Sequence, residues 1–283
     1  REMVKRYGEP SSMEDFCNKM QLMNAIGYQG IFEAAGHKLN DIGGVMLWKL
    51  NAAFPSVVWQ VYDWFLMPNA GYYFMQNACE PVHIQLNLLN NRVMVLNRTY
   101  RPVSGLTAQA EVYSLDSKRL YSDNMDISLG ATDIKETSTL DNIIKEYGGF
   151  VFVILKLRDK SGNVLSRNAY WLSPSGDYKA LDDMAETNVE TTVLKSEDSL
   201  SDRTWKIRIR NNSSKIAFFI RPQILINEEE ILPSFWSQGY FTLAPGDKTE
   251  VTVTCPEAKL TVGVPVLKVS GWNVPAAFSQ MKD

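Results

Sequence analysis

Thr204-Trp-Lys-Ile-Arg-Ile-Arg210 alternates without a break: Trp205, Ile207 and Ile209 fall on one side, Lys206, Arg208 and Arg210 on the other. Successive side chains of a strand point to opposite faces, so the stretch reads as a strand with one dry and one wet face. Its neighbours Ile216 to Ile220, Gly239 to Leu243 and Lys248 to Thr254 are further short runs of β-prone residues. Short strands at this spacing predict a β-sandwich beginning near Thr191.

Working backwards, the same text recurs. Val82 to Leu86, Arg92 to Leu96 and Leu106 to Tyr113 alternate with period 2, and Phe150 to Leu157 is an apolar run. Asn90-Asn91, Asp116-Ser-Lys118 and Asp159-Lys-Ser-Gly162 supply turn chemistry between them. This predicts a first sandwich over 80–175, with one short helix between Thr137 and Tyr147. Ser173 to Glu190 is polar and reads as a linker or long loop, so the second sandwich spans 176–283 with 176–190 as its linker.

The first 79 residues read differently. Ser11-Ser-Met-Glu14 has capping-box spacing. Phe16, Met20, Met23, Gly27, Ile31 and Ala34 then follow at a helical period, which predicts a helix over 12–35 that buries this stripe and ends at Gly36. Val45-Met-Leu-Trp-Lys-Leu50 suits a strand buried on both faces, and Tyr72 to Ala78 suits a helix. Helix, strand, loop, helix is the cadence of a (β/α) unit, yet a closed eight-fold barrel needs about 250 residues. The fold expectation is mainly β: residues 1–79 as the C-terminal remnant of a (β/α)8 barrel, followed by two immunoglobulin-like β-sandwiches.

Composition excludes several classes. The 29 basic residues against 32 acidic ones give a net charge of −3, which argues against a nucleic-acid partner. No apolar run approaches the ~20 residues of a membrane span, and no membrane or cofactor partner is expected. The chain opens on Arg1 without an apolar leader and reads as the inside of a longer protein. Cys17, Cys79 and Cys255 lie far apart, which offers neither zinc spacing nor a disulfide framework; they read as buried thiols.

Several phrases together resemble one family. Val45-Met-Leu-Trp-Lys-Leu-Asn-Ala-Ala-Phe-Pro-Ser56 and Trp59-Gln-Val-Tyr-Asp63 are similar to the last barrel strand and following loop of family 2 glycoside hydrolases, in the branch of exo-β-glucosaminidases and β-mannosidases. Met67-Pro-Asn-Ala-Gly-Tyr-Tyr73 and Cys79-Glu-Pro-Val-His83 resemble that branch's exit from the barrel. Asn168-Ala-Tyr-Trp-Leu-Ser173, Ile231-Leu-Pro-Ser-Phe-Trp-Ser-Gln-Gly-Tyr-Phe241 and Ala244-Pro-Gly-Asp-Lys248 resemble parts of its two trailing sandwiches.

The resemblance implies a parent enzyme that hydrolyses a β-glucosaminide, β-mannoside or β-galactoside with retention. That chemistry uses two carboxyl groups about 5–5.5 Å apart. In the family both are glutamates on barrel strands that precede this segment, so no catalytic residue is assigned here and the chain alone is expected to be inactive. The implied partners are the parent's oligosaccharide or polysaccharide substrate, and either the missing barrel or a second copy of the chain as a packing surface. The implied location is periplasmic or extracellular. The alternative is a stand-alone carbohydrate-binding or protein-interaction module.

Trp48 and Asn51 stand at the end of the presumed last barrel strand, where barrels place their sites. An indole there can stack on a sugar and an amide can hydrogen-bond a hydroxyl; the plainer reading is a core tryptophan and a loop-capping asparagine. Trp59 and Asp63 read as structural, Glu14 and Glu33 as cap or solvated helix-face residues, and Asp41 with Asp63 as an unfixed carboxylate pair. His37 and His83 lack the context of a Ser-His-Asp hydrolase. Asn97, Asn211 and Asn212 each open an Asn-x-Ser/Thr sequon, a short pattern that arises by chance. Trp205 reads as core, with a carbohydrate-binding role as the rival for the remaining tryptophans.

Overall fold

The computed structural model describes residues 1–55, 60–199, 201–261 and 263–281. Two compact units emerge: residues 1–47 with 74–184, and residues 48–73 with 185–283. Before the first sandwich the chain forms α1 (Glu2–Tyr7), α2 (Met13–His37) and α3 (Ala70–Ala78).

The first sandwich comprises β1 (Val82–Asn87), β2 (Arg92–Asn97), β3 (Val103–Ser114), β4 (Arg119–Leu129), β5 (Asp133–Thr139), α4 (Asp141–Tyr147), β6 (Val151–Arg158) and β7 (Val164–Leu172). One antiparallel sheet runs β1-β2-β5 and the other β4-β3-β6-β7. Alternate residues of both sheets meet in one apolar core that includes Ile84, Val93, Val95, Ala110, Val112, Val153, Leu155 and Tyr170. Their burial is what selects the register, since a one-residue slip would bring His83, Gln85, Glu111 and Lys156 into the apolar core in their place. On the opposite face of β7, Trp171 donates its indole N–H to the Tyr7 hydroxyl at 3.1 Å and meets the edge of Phe74 at 5.9 Å. Tyr7 stacks on Tyr178 at 5.2 Å. The 173–190 stretch thus holds a short 3-10 turn, Lys179–Asp183, whose Leu181 is buried.

The second sandwich comprises β8 (Glu190–Asp198), β9 (Asp202–Arg210), β10 (Ala217–Ile226), β11 (Glu229–Glu230), β12 (Phe235–Trp236), β13 (Phe241–Leu243), β14 (Lys248–Pro256), β15 (Val266–Ser270) and β16 (Ala277–Gln280). One sheet runs β12-β14-β9-β8; the other runs β11-β10-β15-β16, with β13 also on β10. The alternation in β9 works as read: Trp205, Ile207 and Ile209 are buried opposite Val253, Val251 and Thr249, while Lys206 and Arg208 pair with Glu250 on the wet face.

The expected barrel strand is absent. Val45 to Leu50 carries no strand, and around it there are only the isolated bridges Asn51 to Tyr62 and Tyr62 to Pro68 among the described residues. A strand buried on both faces needs ladder partners on both sides, and among the described residues this run forms no ladder, its last residue Leu50 alone accepting from Val61 N and Tyr62 N. The expected barrel remnant is therefore not visible as barrel structure; residues 1–79 show the helices α1, α2 and α3.

The face that α2 buries is also different from the expected one. Phe16, Met20, Gly27, Ile31 and Ala34 are exposed, while Lys19, Leu22, Ala25, Gln29, Glu33 and Gly36 are buried. The cap lies one residue on, with the Ser12 hydroxyl accepting from Asp15 N and the Asp15 carboxylate accepting from Ser11 N. Gly36 lies inside the helix, where an added Cβ would come within 2.7 Å of an Arg98 guanidinium nitrogen. Of the three cysteines, Cys17 and Cys79 are exposed; Cys255 is buried, which pushes its thiol pKa up to about 12.

Candidate functional site

Trp48 and Asn51 lie on the 48–73 segment of the second unit. Trp48 is 81% exposed, which removes the reading of a core tryptophan in this chain. Asn51 is exposed and bridges to Tyr62. The segment is held by ordinary loop chemistry: Leu50 O accepts from Val61 N and Tyr62 N, and the Asp63 carboxylate accepts from Phe65 N and Met67 N. Asp63 thus fastens its own loop, and Asp41 pairs with Lys38. Trp59 lies outside the described residues.

Beside it, the second unit has a small cleft lined by Met67, Tyr73, Arg221, Glu230, Trp236 and Tyr240. Arg221 donates to Glu230 at 2.7 Å and lies 5.8 Å from the Tyr240 ring. Gly239 is required there, because a Cβ would meet the Tyr73 ring at 2.7 Å. The cleft has room for no more than about one water, so it fastens the 62–73 segment and holds no sugar.

The densest polar chemistry sits in the first unit, where sequence reading placed nothing. Glu33 is only 3% exposed. Its carboxylate accepts from the Tyr170 hydroxyl at 2.8 Å, from Asn168 Nδ2 at 2.5 Å and from Gln29 Nε2 at 3.2 Å. His83, fully buried on β1, places Nε2 3.7 Å from Glu33 and Nδ1 2.9 Å from Glu80. The Ser166 hydroxyl donates to Glu80 and lies 3.1 Å from His83 Nδ1. Burial opposes a charge on His83, but its hydrogen bonds with Glu33 and Glu80 outweigh burial and raise its pKa above the ordinary histidine value. Burial, then the Glu33 charge, pushes the Tyr170 hydroxyl far up.

Serine, histidine and carboxylate do meet here, but not as a nucleophilic site. Ser166 and His83 are sealed from solvent, and the serine proton is given to Glu80 rather than to the imidazole. The cluster docks α2 onto the sandwich, so Glu33 is an anchor and not a solvated helix-face residue. Its signal was present in the sequence: Ser166, Asn168 and Tyr170 form a polar row with period 2, and His83 with Gln85 forms another. Among the described residues no group of His, Cys, Asp and Glu could hold a metal, and no helix is long and apolar enough to cross a membrane.

Comparison with known proteins bears on the whole chain. The mannosidase Ig/CBM-like domain profile matches residues 90–175, and the exo-beta-D-glucosaminidase Ig-fold domain profile matches residues 168–274. The two sandwiches are Ig-fold domains of the exo-β-D-glucosaminidase and mannosidase family. An exo-β-D-glucosaminidase of Amycolatopsis orientalis is 28% identical over 298 residues, covering 96% of this chain and 29% of that protein. One from Arthroderma benhamiae is 29% identical over 294 residues, covering 96% and 32%. A mannosylglycoprotein endo-β-mannosidase of Lilium longiflorum is 26% identical over 342 residues, covering 96% and 35%.

The crystal structure of the Amycolatopsis orientalis exo-chitosanase superposes with a TM-score of 0.90 at 28% identity, covering 98% of this chain and 36% of that one. A Dictyoglomus thermophilum β-D-mannosidase shares the fold, with a TM-score of 0.70 at 16% identity, 96% of this chain and 31% of that one being covered. The chain thus spans about a third of the length of the exo-β-D-glucosaminidases and mannosidases it matches.

Proposed function

We propose that this chain is the C-terminal part of a retaining exo-β-glycosidase acting on a β-glucosaminide, with β-mannoside and β-galactoside as the other candidate substrates. The observation that carries the reading is the inverted α2. A helix in water turns its apolar stripe inward, whereas α2 exposes Met13, Phe16, Met20 and Ile31 and buries Lys19, Gln29 and Glu33. Both stripes are satisfied if the sandwich takes the polar one and the remainder of the enzyme, or a second copy of the chain, takes the apolar one. Met46 in the first unit is exposed as well, and Leu50 and Phe54 are exposed apolar residues of the second.

In this reading the acid/base and nucleophilic carboxylates belong to the barrel strands of the whole enzyme, and no carboxylate of this chain serves as either. The exposed Trp48 supplies a flat platform for a pyranose face, and Asn51 supplies a hydrogen bond to a sugar hydroxyl. The enzyme would work outside the cytoplasm, where its polymeric substrate lies.

The test is to assay p-nitrophenyl β-D-glucosaminide and β-mannoside with this chain and with the natural protein that contains it. The chain alone should show no turnover, and the natural protein should hydrolyse one of the two. Replacement of Trp48 by Ala in the natural protein should lower kcat/KM at least tenfold, the scale of about 1.4 kcal/mol of transition-state binding. A natural protein no longer than this chain that binds sugar without hydrolysing it would replace this reading with that of a stand-alone binding module.

A further inference from the structure

The cluster beneath α2 raises a question of charge that holds whatever the chain's parent hydrolyses. Two carboxylates face it: Glu33 from α2, and Glu80 from the turn between α3 and β1. One guanidinium answers them. Arg98, just beyond β2, donates to the Glu80 backbone oxygen at 2.6 Å and lies against Gly36 of α2.

The other titratable groups nearby supply no charge. Burial lowers the pKa of His37 and raises that of the Cys79 thiol, and Tyr170 titrates far above neutrality. From β7 come only the neutral donors Ser166, Asn168 and Tyr170. Two carboxylates against one guanidinium leave a negative charge, and an uncompensated buried charge is strongly destabilising. A proton on His83, between the two carboxylates, removes it.

We infer that His83 is a proton-operated latch: with its proton it ties Glu33 of α2 to Glu80 on the first sandwich, and without it α2 lets go. The geometry suits a latch. The imidazole uses both nitrogens, one toward each carboxylate, and the two carboxylates sit on different elements. The rest of the docking surface is mostly polar: Gln29 donates to Asn168 Oδ1 at 2.7 Å, the Gln85 amide donates to the Glu33 backbone oxygen at 3.0 Å, Asn168 and Tyr170 donate to the Glu33 carboxylate, and Leu22 and Ala25 are the buried apolar side chains of α2.

The direction of the pH effect follows from linkage. The folded protein holds this proton more tightly than the undocked one, so the contribution is complete below the free imidazole's value of about 6.5. It is lost as pH rises through the higher folded value. Between the two, each pH unit should multiply the fraction of undocked α2 by about ten.

The experiment uses the chain as it is. Its two histidines, His37 and His83, make it simple to label, and His37→Gln leaves one signal to follow. Imidazole nitrogen shifts should report His83 still protonated at pH 7. Hydrogen exchange of the α2 amides, corrected for intrinsic rate, should lose about tenfold protection per pH unit above about 6.5. Glu80→Gln should move the His83 midpoint and the loss of protection downward together, and this variant keeps the test open if His83→Gln does not fold. A neutral His83 at pH 6, or α2 protection that stays flat with pH, would overturn the latch.

Discussion

At the end of β2 the chain reads Asn97-Arg-Thr-Tyr-Arg101, and at the end of β9 it reads Asn211-Asn-Ser-Ser-Lys215. Both asparagines are fully buried and make the same corner. Asn97 Oδ1 accepts from Thr99 N and its hydroxyl, and Nδ2 donates to Arg101 O and Gly130 O. Asn211 Oδ1 accepts from Ser213 N and its hydroxyl, and Nδ2 donates to the carbonyls of Lys215, Leu243 and Ala244. Each side chain satisfies backbone groups where a strand leaves its sheet.

The two sandwiches differ in how they treat ionisable groups. The first seals Glu33 of α2 against His83 of β1. The second keeps the ion pairs of Lys206 and Arg208 with Glu250 on its wet face and fills β9 inward with Trp205, Ile207 and Ile209. Shared corners with unlike interiors show that the turn is set by local backbone needs, whereas the interior answers to what each sandwich must hold.

The strongest test of the contrast is Trp205→Ala. Removing a fully buried indole should cost the second sandwich roughly 3–5 kcal/mol, read as a fall in its denaturant midpoint with the α2 amide protection of the first unit unchanged. A loss below about 1 kcal/mol would mean that Trp205 is not a core residue after all.

Next come the two corners. Asn97→Ala and Asn211→Ala should each cost about 2–3 kcal/mol, because buried carbonyls lose their donor. The two losses should be equal: Arg101 O and Lys215 O keep the Thr99 and Ser213 hydroxyls and Ala244 O keeps Asp247 N, so each variant removes the asparagine's donor chiefly from one carbonyl, Gly130 O or Leu243 O. A difference of more than about 1 kcal/mol between the two in urea unfolding would end the claim that the corners are equivalent. The same burial means that of the three sequons only Asn212, which is exposed, is open to modification.

A smaller difference should appear with pH. Both histidines lie in the first unit, and the raised His83 pKa means that stability falls as pH rises, by up to about 1.4 kcal/mol per unit above about 6.5. The second unit has no histidine and should hold level from pH 6 to 8 in thermal melts that resolve the two. Equal slopes for both units would erase the distinction. Least of all, Glu250→Ala should cost only about 0.5 kcal/mol and less still at high salt, as expected of an ion pair on a solvated face.

Strand positions were legible wherever one face is wet, because alternation records burial directly; β9 and β14 are the clear instances. Strand β8, with its exposed Glu, Lys and Asp, left no such trace. The expected helix 12–35 formed as α2, but its orientation was misread. Periodicity reports that a stripe exists and cannot report which neighbour will take it. Val45 to Leu50 failed as a strand for a related reason: an apolar run states a need for burial, and pairing depends on chains that must be there to pair with.

The residues alone determined two sandwiches and their kinship with the exo-β-D-glucosaminidase and mannosidase family, since these rest on local alternation and on phrases that keep their order. Only the tertiary structure decided that Glu33, Glu80 and His83 share one buried site and that Trp48 stands exposed. Glu33 and His83 are separated by fifty residues of chain, and no local pattern carries the information that folding will bring them within 3.7 Å. Local sequence specifies which groups must be satisfied; their partners come from distant segments, and only the folded chain brings those segments together.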